Sequence, residues 1–137
     1  MNNPENLIKK LQLIPHPEVG YFSESFRDEK NSVSLIYYLL KKGDVSHWHK
    51  LKKNEILHFY DGDPLIVSMS NNEINISEII LGRNIKKGHL LHYVVDSEVW
   101  FSMKSMGEWS LIGCTVAPAF NYKDFELAPK NWSPSKN

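Results

Sequence analysis

From Gly20 to Pro118 the chain is divided into short runs rich in β-branched and aromatic residues, each closed by a cluster of turn-forming residues. This punctuation is the tightest constraint on its fold. The runs are Tyr21–Phe26, Ser34–Leu40, Ile56–Tyr60, Leu65–Ser70, Ile74–Leu81, Leu90–Val95, Val99–Met103 and Trp109–Val116. Lys42-Gly43-Asp44, Asp61-Gly62-Asp63-Pro64 and Asn71-Asn72 stand between them, with the residue types that turns and hairpins select. About eight to ten strands at regular spacing, with no helical run between them, predict an antiparallel sandwich or closed barrel rather than an alternating β/α fold.

One helix precedes the strands. Asn3 suits an N-cap, Pro4 the first helical position and Glu5 the positive end of the helix dipole, and Leu7, Ile8 and Leu11 form a narrow apolar stripe. Pro15-His16-Pro17 ends it. The reading is a single domain over residues 1–130 and a polar, flexible tail over 131–137.

With 137 residues the chain is long enough for one real core. Lys+Arg and Asp+Glu each number 16, and the basic pairs Lys9-Lys10, Lys41-Lys42, Lys52-Lys53 and Lys86-Lys87 are scattered at turns. No nucleic-acid or membrane surface is expected from such a balance. The single cysteine, Cys114, forms no internal disulfide and reads as a small core residue within Leu111–Val116. No apolar signal segment opens the chain and no run is long enough to span a membrane, so a cytoplasmic protein is expected.

The stretch richest in chemistry is Gly43–His49 followed by Glu55–Gly62. On a strand, His47 and His49 would share a face. With Glu55 they would form two imidazoles and a carboxylate, a set that can hold a divalent metal or move protons. Glu55 shares its face with Leu57 and Phe59, whereas His58 and Tyr60 point the other way.

This segment resembles the first motif of the cupin superfamily, in which a glycine leads to HxH, then a glutamate, then a closing glycine. Glu55 and Gly62 keep the family's spacing; the distances from Gly43 to His47 and from His49 to Glu55 depart from it. A closer resemblance, over nearly the whole chain, is to the cupin 5 family, DUF985. It is carried by Leu13–Phe22, Ile36–Leu40, Trp48-His49, Asn54-Glu55-Ile56 with His58-Phe59-Tyr60, and Trp109–Phe120 with Asp124-Phe125-Glu126. The resemblance implies an all-β fold, a cupin-type double-stranded β-helix (an RmlC-like jelly-roll barrel), with a ligand pocket inside and a homodimer as the usual assembly. It implies no agreed activity. The second cupin motif is degraded: Asp96-Ser97-Glu98 stands where the usual turn would be, and Phe101 where a histidine ligand would stand.

Three functions follow as alternatives. A metal-independent sugar isomerase or epimerase would use His49 or His58 as base, with Glu55 or Tyr60 as partner. A binding module would hold a small molecule with Arg27, His47, Trp48, His92 and Phe101, without chemistry. A metal-dependent oxygenase or isomerase would hold iron, zinc or manganese with His47, His49 and Glu55. The cofactor is left open between a divalent metal and none. Arg27 could also clamp a carboxylate or phosphate, and His16 reads as a loop-fixing hydrogen-bond partner.

Overall fold

A computed structural model describes residues 2–134. Helix α1 (Pro4–Lys10) is capped as its sequence demands: the Asn3 side chain accepts from the Asn6 N–H, and Pro4 sits in the first turn. Eleven strands follow, arranged in two sheets. In chain order they are β1 (Ile14–Pro15), β2 (Tyr21–Arg27), β3 (Ser34–Lys41), β4 (Val45–Leu51), β5 (Glu55–Gly62), β6 (Leu65–Ser70), β7 (Ser77–Leu81), β8 (His92–Val95), β9 (Trp100–Ser105), β10 (Trp109–Val116) and β11 (Phe125–Leu127). One sheet runs β1-β2-β3-β10-β5-β8 and the other β11-β4-β9-β6-β7, with antiparallel pairing throughout the named strands. This is the expected all-β jelly roll with a short N-terminal helix.

The core between the sheets follows the period of two. Tyr38 and Leu40 from β3, Leu57 and Phe59 from β5, Val67 and Met69 from β6, Phe101 and Met103 from β9, and Ile112 and Cys114 from β10 all turn inward. The alternate residues Leu39 and Leu111 face outward, where Leu7 and Leu13 cover them. Helix α1 therefore covers only part of the outer face of the six-stranded sheet.

Two expectations change. The run from Ile74 becomes a strand only at Ser77, because the Asn72 side chain accepts from the Ile74 and Asn75 N–H groups and holds a loop there. The segment expected as a flexible tail is docked as far as Pro134. Trp132 packs on Trp100 with ring centroids 4.8 Å apart and meets Trp48 edge-on at 6.3 Å, on the outer side of the five-stranded sheet. Residues 135–137 of that tail lie outside the described residues. Among the described residues no helix is long and apolar enough to cross a membrane.

Candidate functional site

The inner faces of the two sheets leave a cavity of about 460 Å³, open at one end. Five histidine and glutamate side chains line it: His16 and Glu18 from the loop before β2, Glu24 from β2, His49 from β4 and Glu55 from the start of β5. Phe22, Ile36, Leu51, Met103 and Val116 supply apolar wall, and Tyr38, Ser46 and Cys114 supply polar atoms. Arg27, Ser34, Phe120, Asn121, Tyr122 and Phe125 complete the lining.

Two β-bulges decide which residues face inward. In β4, Ser46 pairs with Met103 and His49 with Phe101, so three steps along β4 match two along β9. Ser46, His49 and Leu51 line the cavity, and His47 and Trp48 do not. The imidazole of His47 instead bonds through Nε2 to the Pro129 carbonyl at 2.9 Å, and Trp48 joins Trp100 and Trp132 outside. The strict alternation that would put His47 beside His49 is broken by that extra residue. In β2, Glu24 pairs with Ile36 and Phe26 with Leu35, a second bulge. It brings Arg27 to the same side as Glu24 and leaves Phe26 half exposed.

The β4 bulge also fixes the state of His49. Its Nδ1 lies 2.7 Å from the His47 carbonyl, which can only accept, so Nδ1 carries the proton and Nε2 keeps its lone pair. Phe101 lies against the ring at 4.1 Å and Phe125 at 5.7 Å. Burial in this apolar setting lowers the His49 pKa to about 4. Glu55 is buried on the same lining, and burial pushes its carboxyl up to about 7, moderated by a hydrogen bond with Cys114. Burial, and after it the charge of Glu55 beside it, push the Cys114 thiol up, away from the thiolate form.

His16 and Glu18 are placed by a tight loop. The His16 N–H donates to the Gly20 carbonyl at 2.8 Å, and the Glu18 N–H donates to His16 Nδ1 at 3.1 Å. Gly20 has φ +77°, and a β-carbon there would sit 2.5 Å from the Leu39 carbonyl oxygen, so only glycine fits. Since His16 Nδ1 accepts, the neutral ring carries its proton on Nε2. Burial lowers the His16 pKa and raises that of Glu18. Among the described residues Glu18 Oε1 is buried without a hydrogen-bond partner.

At the mouth, Arg27 is held by Glu24 through Nε–Oε1 at 2.9 Å and Nη2–Oε2 at 3.0 Å, and it also donates to the Phe120 carbonyl. Arg27 is thus engaged within the chain and does not stand as an open anion clamp.

The remaining expected residues lie elsewhere. His58 and Tyr60 alternate with Glu55, Leu57 and Phe59 and face away from the core; His58 bonds to Thr115 Oγ1, and His92 is its cross-strand partner on β8. Tyr60 lies across the bare backbone of Gly113, where a β-carbon would meet its hydroxyl oxygen at 2.4 Å. Phe101 is core beneath His49. Among the described residues no group of three His, Cys, Asp or Glu side chains is placed to hold a metal ion. The residues present therefore do not fit the metal centre known in other cupins. Glu18, Tyr38, Ser46 and the aromatic mouth went unread in the sequence; the available signal was that Glu18, Tyr38, Phe120 and Phe125 lie in stretches carrying the family resemblance.

The family described as Cupin superfamily (DUF985) matches residues 5–128. A protein from Shewanella oneidensis is 33% identical, with a TM-score of 0.89 over 93% of this chain and 85% of its own. A hypothetical protein from Leishmania major is 30% identical, with a TM-score of 0.82 over 93% of this chain and 88% of its own. A dTDP sugar isomerase from Desulfovibrio desulfuricans is 12% identical, with a TM-score of 0.62 over 87% of this chain and 80% of its own, a likeness of fold alone. No curated protein matches the chain.

Proposed function

We propose, for a chain that belongs to the DUF985 family of the cupin superfamily, that the barrel cavity catalyses metal-independent proton transfer on a small hydroxylated carbonyl compound, as in a sugar isomerisation or epimerisation. The supporting observation is that Glu55, with a carboxyl pushed up to about 7, and His49, with an imidazole held neutral, line one cavity. A base that titrates near the working pH is the most effective proton carrier, because it is both substantially ionised and strong enough to accept.

Each residue then has a role. Glu55 carboxylate takes the proton from the carbon next to the substrate carbonyl; the C–H pair becomes the enol double bond and the carbonyl electrons move to oxygen. The Nε2–H of His16 donates to that oxygen as its charge develops. His49 Nε2 accepts a hydrogen bond from the neighbouring hydroxyl and orients it. In an epimerisation Glu55 returns the proton to the same carbon; in an isomerisation it returns it to the former carbonyl carbon while the neighbouring hydroxyl's proton passes to the former carbonyl oxygen, so protons and electrons balance without a co-reactant. The apolar wall of Phe22, Ile36, Leu51, Met103 and Val116 keeps water from competing.

The test is solvent exchange. Free aldoses and ketoses and nucleotide-linked keto sugars are incubated with the protein in D2O, and deuterium entering the position beside the carbonyl is followed by NMR. Exchange with the parent protein and its loss in Glu55→Gln is expected. A compound that raises Tm yet exchanges no proton and is recovered unchanged would replace this reading with binding alone.

A further inference from the structure

The charges around the cavity are unbalanced in one direction. Its lining holds three glutamates, Glu18, Glu24 and Glu55, and of the lysines and arginines only Arg27. Arg27 is already satisfied by Glu24, by the Phe120 carbonyl and by Asn31 Oδ1 at 3.1 Å. Lys53, behind the mouth, is paired with Asp124 at 2.8 Å and donates to the Ala119 carbonyl. Among the described residues neither Glu18 nor Glu55 forms an ion pair. The two lining histidines supply no cation, since burial holds both towards the neutral form. A buried carboxyl oxygen with no donor costs desolvation, and among the described residues Glu18 Oε1 is such an atom, offset only by the charge attraction of His47. Phe22, Tyr38, Phe120 and Phe125 also line the cavity, and aromatic rings attract cations to their faces.

We propose that the ligand carries a protonated amine that pairs with Glu18 inside the cavity, so that the site selects small hydroxylated amines over their neutral and acidic counterparts. This rests on the reading that the cavity is the site of proton transfer, and it narrows the substrate to a class. The ammonium group donates to Glu18, and the aromatic walls enclose it. An acid of the same size meets two carboxyls and a guanidinium that is already neutralised, so specificity against anions is built from repulsion.

Glucosamine, glucose and glucuronate share one ring and differ in charge, and they are the probes. Isothermal titration of the full chain is expected to give glucosamine about tenfold or more tighter binding than glucose, with no measurable heat from glucuronate. In Glu18→Gln the glucosamine advantage should fall to about the level of glucose, a loss of the same roughly tenfold factor. A second variant guards against misfolding of the first. Glu24→Gln, at the exposed mouth, frees the Arg27 guanidinium and should reduce the preference for glucosamine and admit glucuronate. Equal binding of glucose and glucosamine, tighter binding of glucuronate, no binding of glucosamine, or a preference that survives Glu18→Gln overturns the proposal. Deuterium exchange on the same samples separates the two readings. Amine preference without exchange sinks only the proton-transfer reading, whereas Glu55-dependent exchange without amine preference sinks only this one.

Discussion

Strand β5 carries two chemistries on its two faces. Inward, Glu55 is surrounded by the lining of the cavity and its carboxyl titrates near 7. Outward, His58 and Tyr60 share a partly exposed surface with Thr115 and His92, and Tyr60 is 45% exposed. The outer residues are the more familiar acid–base types, and partial burial shifts them too, His58 downward and Tyr60 upward, yet water reaches both and only the fully enclosed Glu55 is carried to about 7. Environment, more than residue type, makes the inner carboxyl a candidate for proton transfer.

The largest expected effect tests that contrast directly. Glu55→Gln should reduce the exchange rate by about 10³-fold, within the range for loss of a general base, while His58→Ala and Tyr60→Phe stay within about twofold of the parent. Equal losses from the outer variants would erase the contrast. Next is the support beneath His49: Phe101→Ala should cost about 3–5 kcal/mol in urea unfolding, because a fully buried ring is replaced by a cavity. A cost below about 1 kcal/mol would mean that the inner wall collapses easily and does not hold His49 in place.

The pH dependence of stability sharpens the contrast further. His49 titrates at about 4 in the folded protein against an ordinary 6.5, so between those values the unfolded chain binds more protons. The stability it permits above pH 6.5 is lost as the pH falls towards 4. Glu55 titrates at about 7 against an ordinary 4.5, so between those values the folded protein binds more protons. The stability present below pH 4.5 is lost as the pH rises through 7. Each effect amounts to roughly 3 kcal/mol at about 1.4 kcal/mol per pH unit, and from pH 4.5 to 6.5 they oppose each other. Denaturant midpoints of the parent should be nearly level there. In Glu55→Gln they should rise with pH, and in His49→Gln they should fall. His58→Ala should leave the slope close to the parent's, and a changed slope in that variant would place the titrating groups on the wrong face.

Two smaller effects complete the comparison. Cys114 lowers the Glu55 pKa through its hydrogen bond, so Cys114→Ala should move the exchange profile to higher pH. A profile that stays in place would remove Cys114 from the site. Chelation by EDTA should leave the exchange rate unchanged; loss on chelation with recovery on adding one divalent ion would show that a metal gathers ligands that the fold holds apart.

The barrel was legible because its signals are local: turn clusters such as Asp61-Gly62-Asp63-Pro64 and the alternation of Leu65–Ser70 each fix one strand. The direction of Glu55 was legible for the same reason, since Glu55, Leu57 and Phe59 alternate without interruption. The position of His47 was not, because the β4 bulge depends on pairing with β9, more than fifty residues away along the chain. Glu18 was hidden differently. It lies on a loop without periodicity, and only the folded Gly20 turn brings it to the cavity. Trp132 looked like part of a polar tail because its partners, Trp48 and Trp100, are remote in sequence.

The extra residue in β4 also acts as a phase slip. Residues before it and after it keep the same two-step rhythm but are out of step with each other, so Ser46 and His49 face one way although they are three apart. Two histidines written as HxH then cease to be a pair. In this barrel, one residue more or less in β4 decides whether that strand sends one imidazole or two into the cavity. Gain or loss of a metal-type constellation could thus proceed by changing length while every histidine is kept.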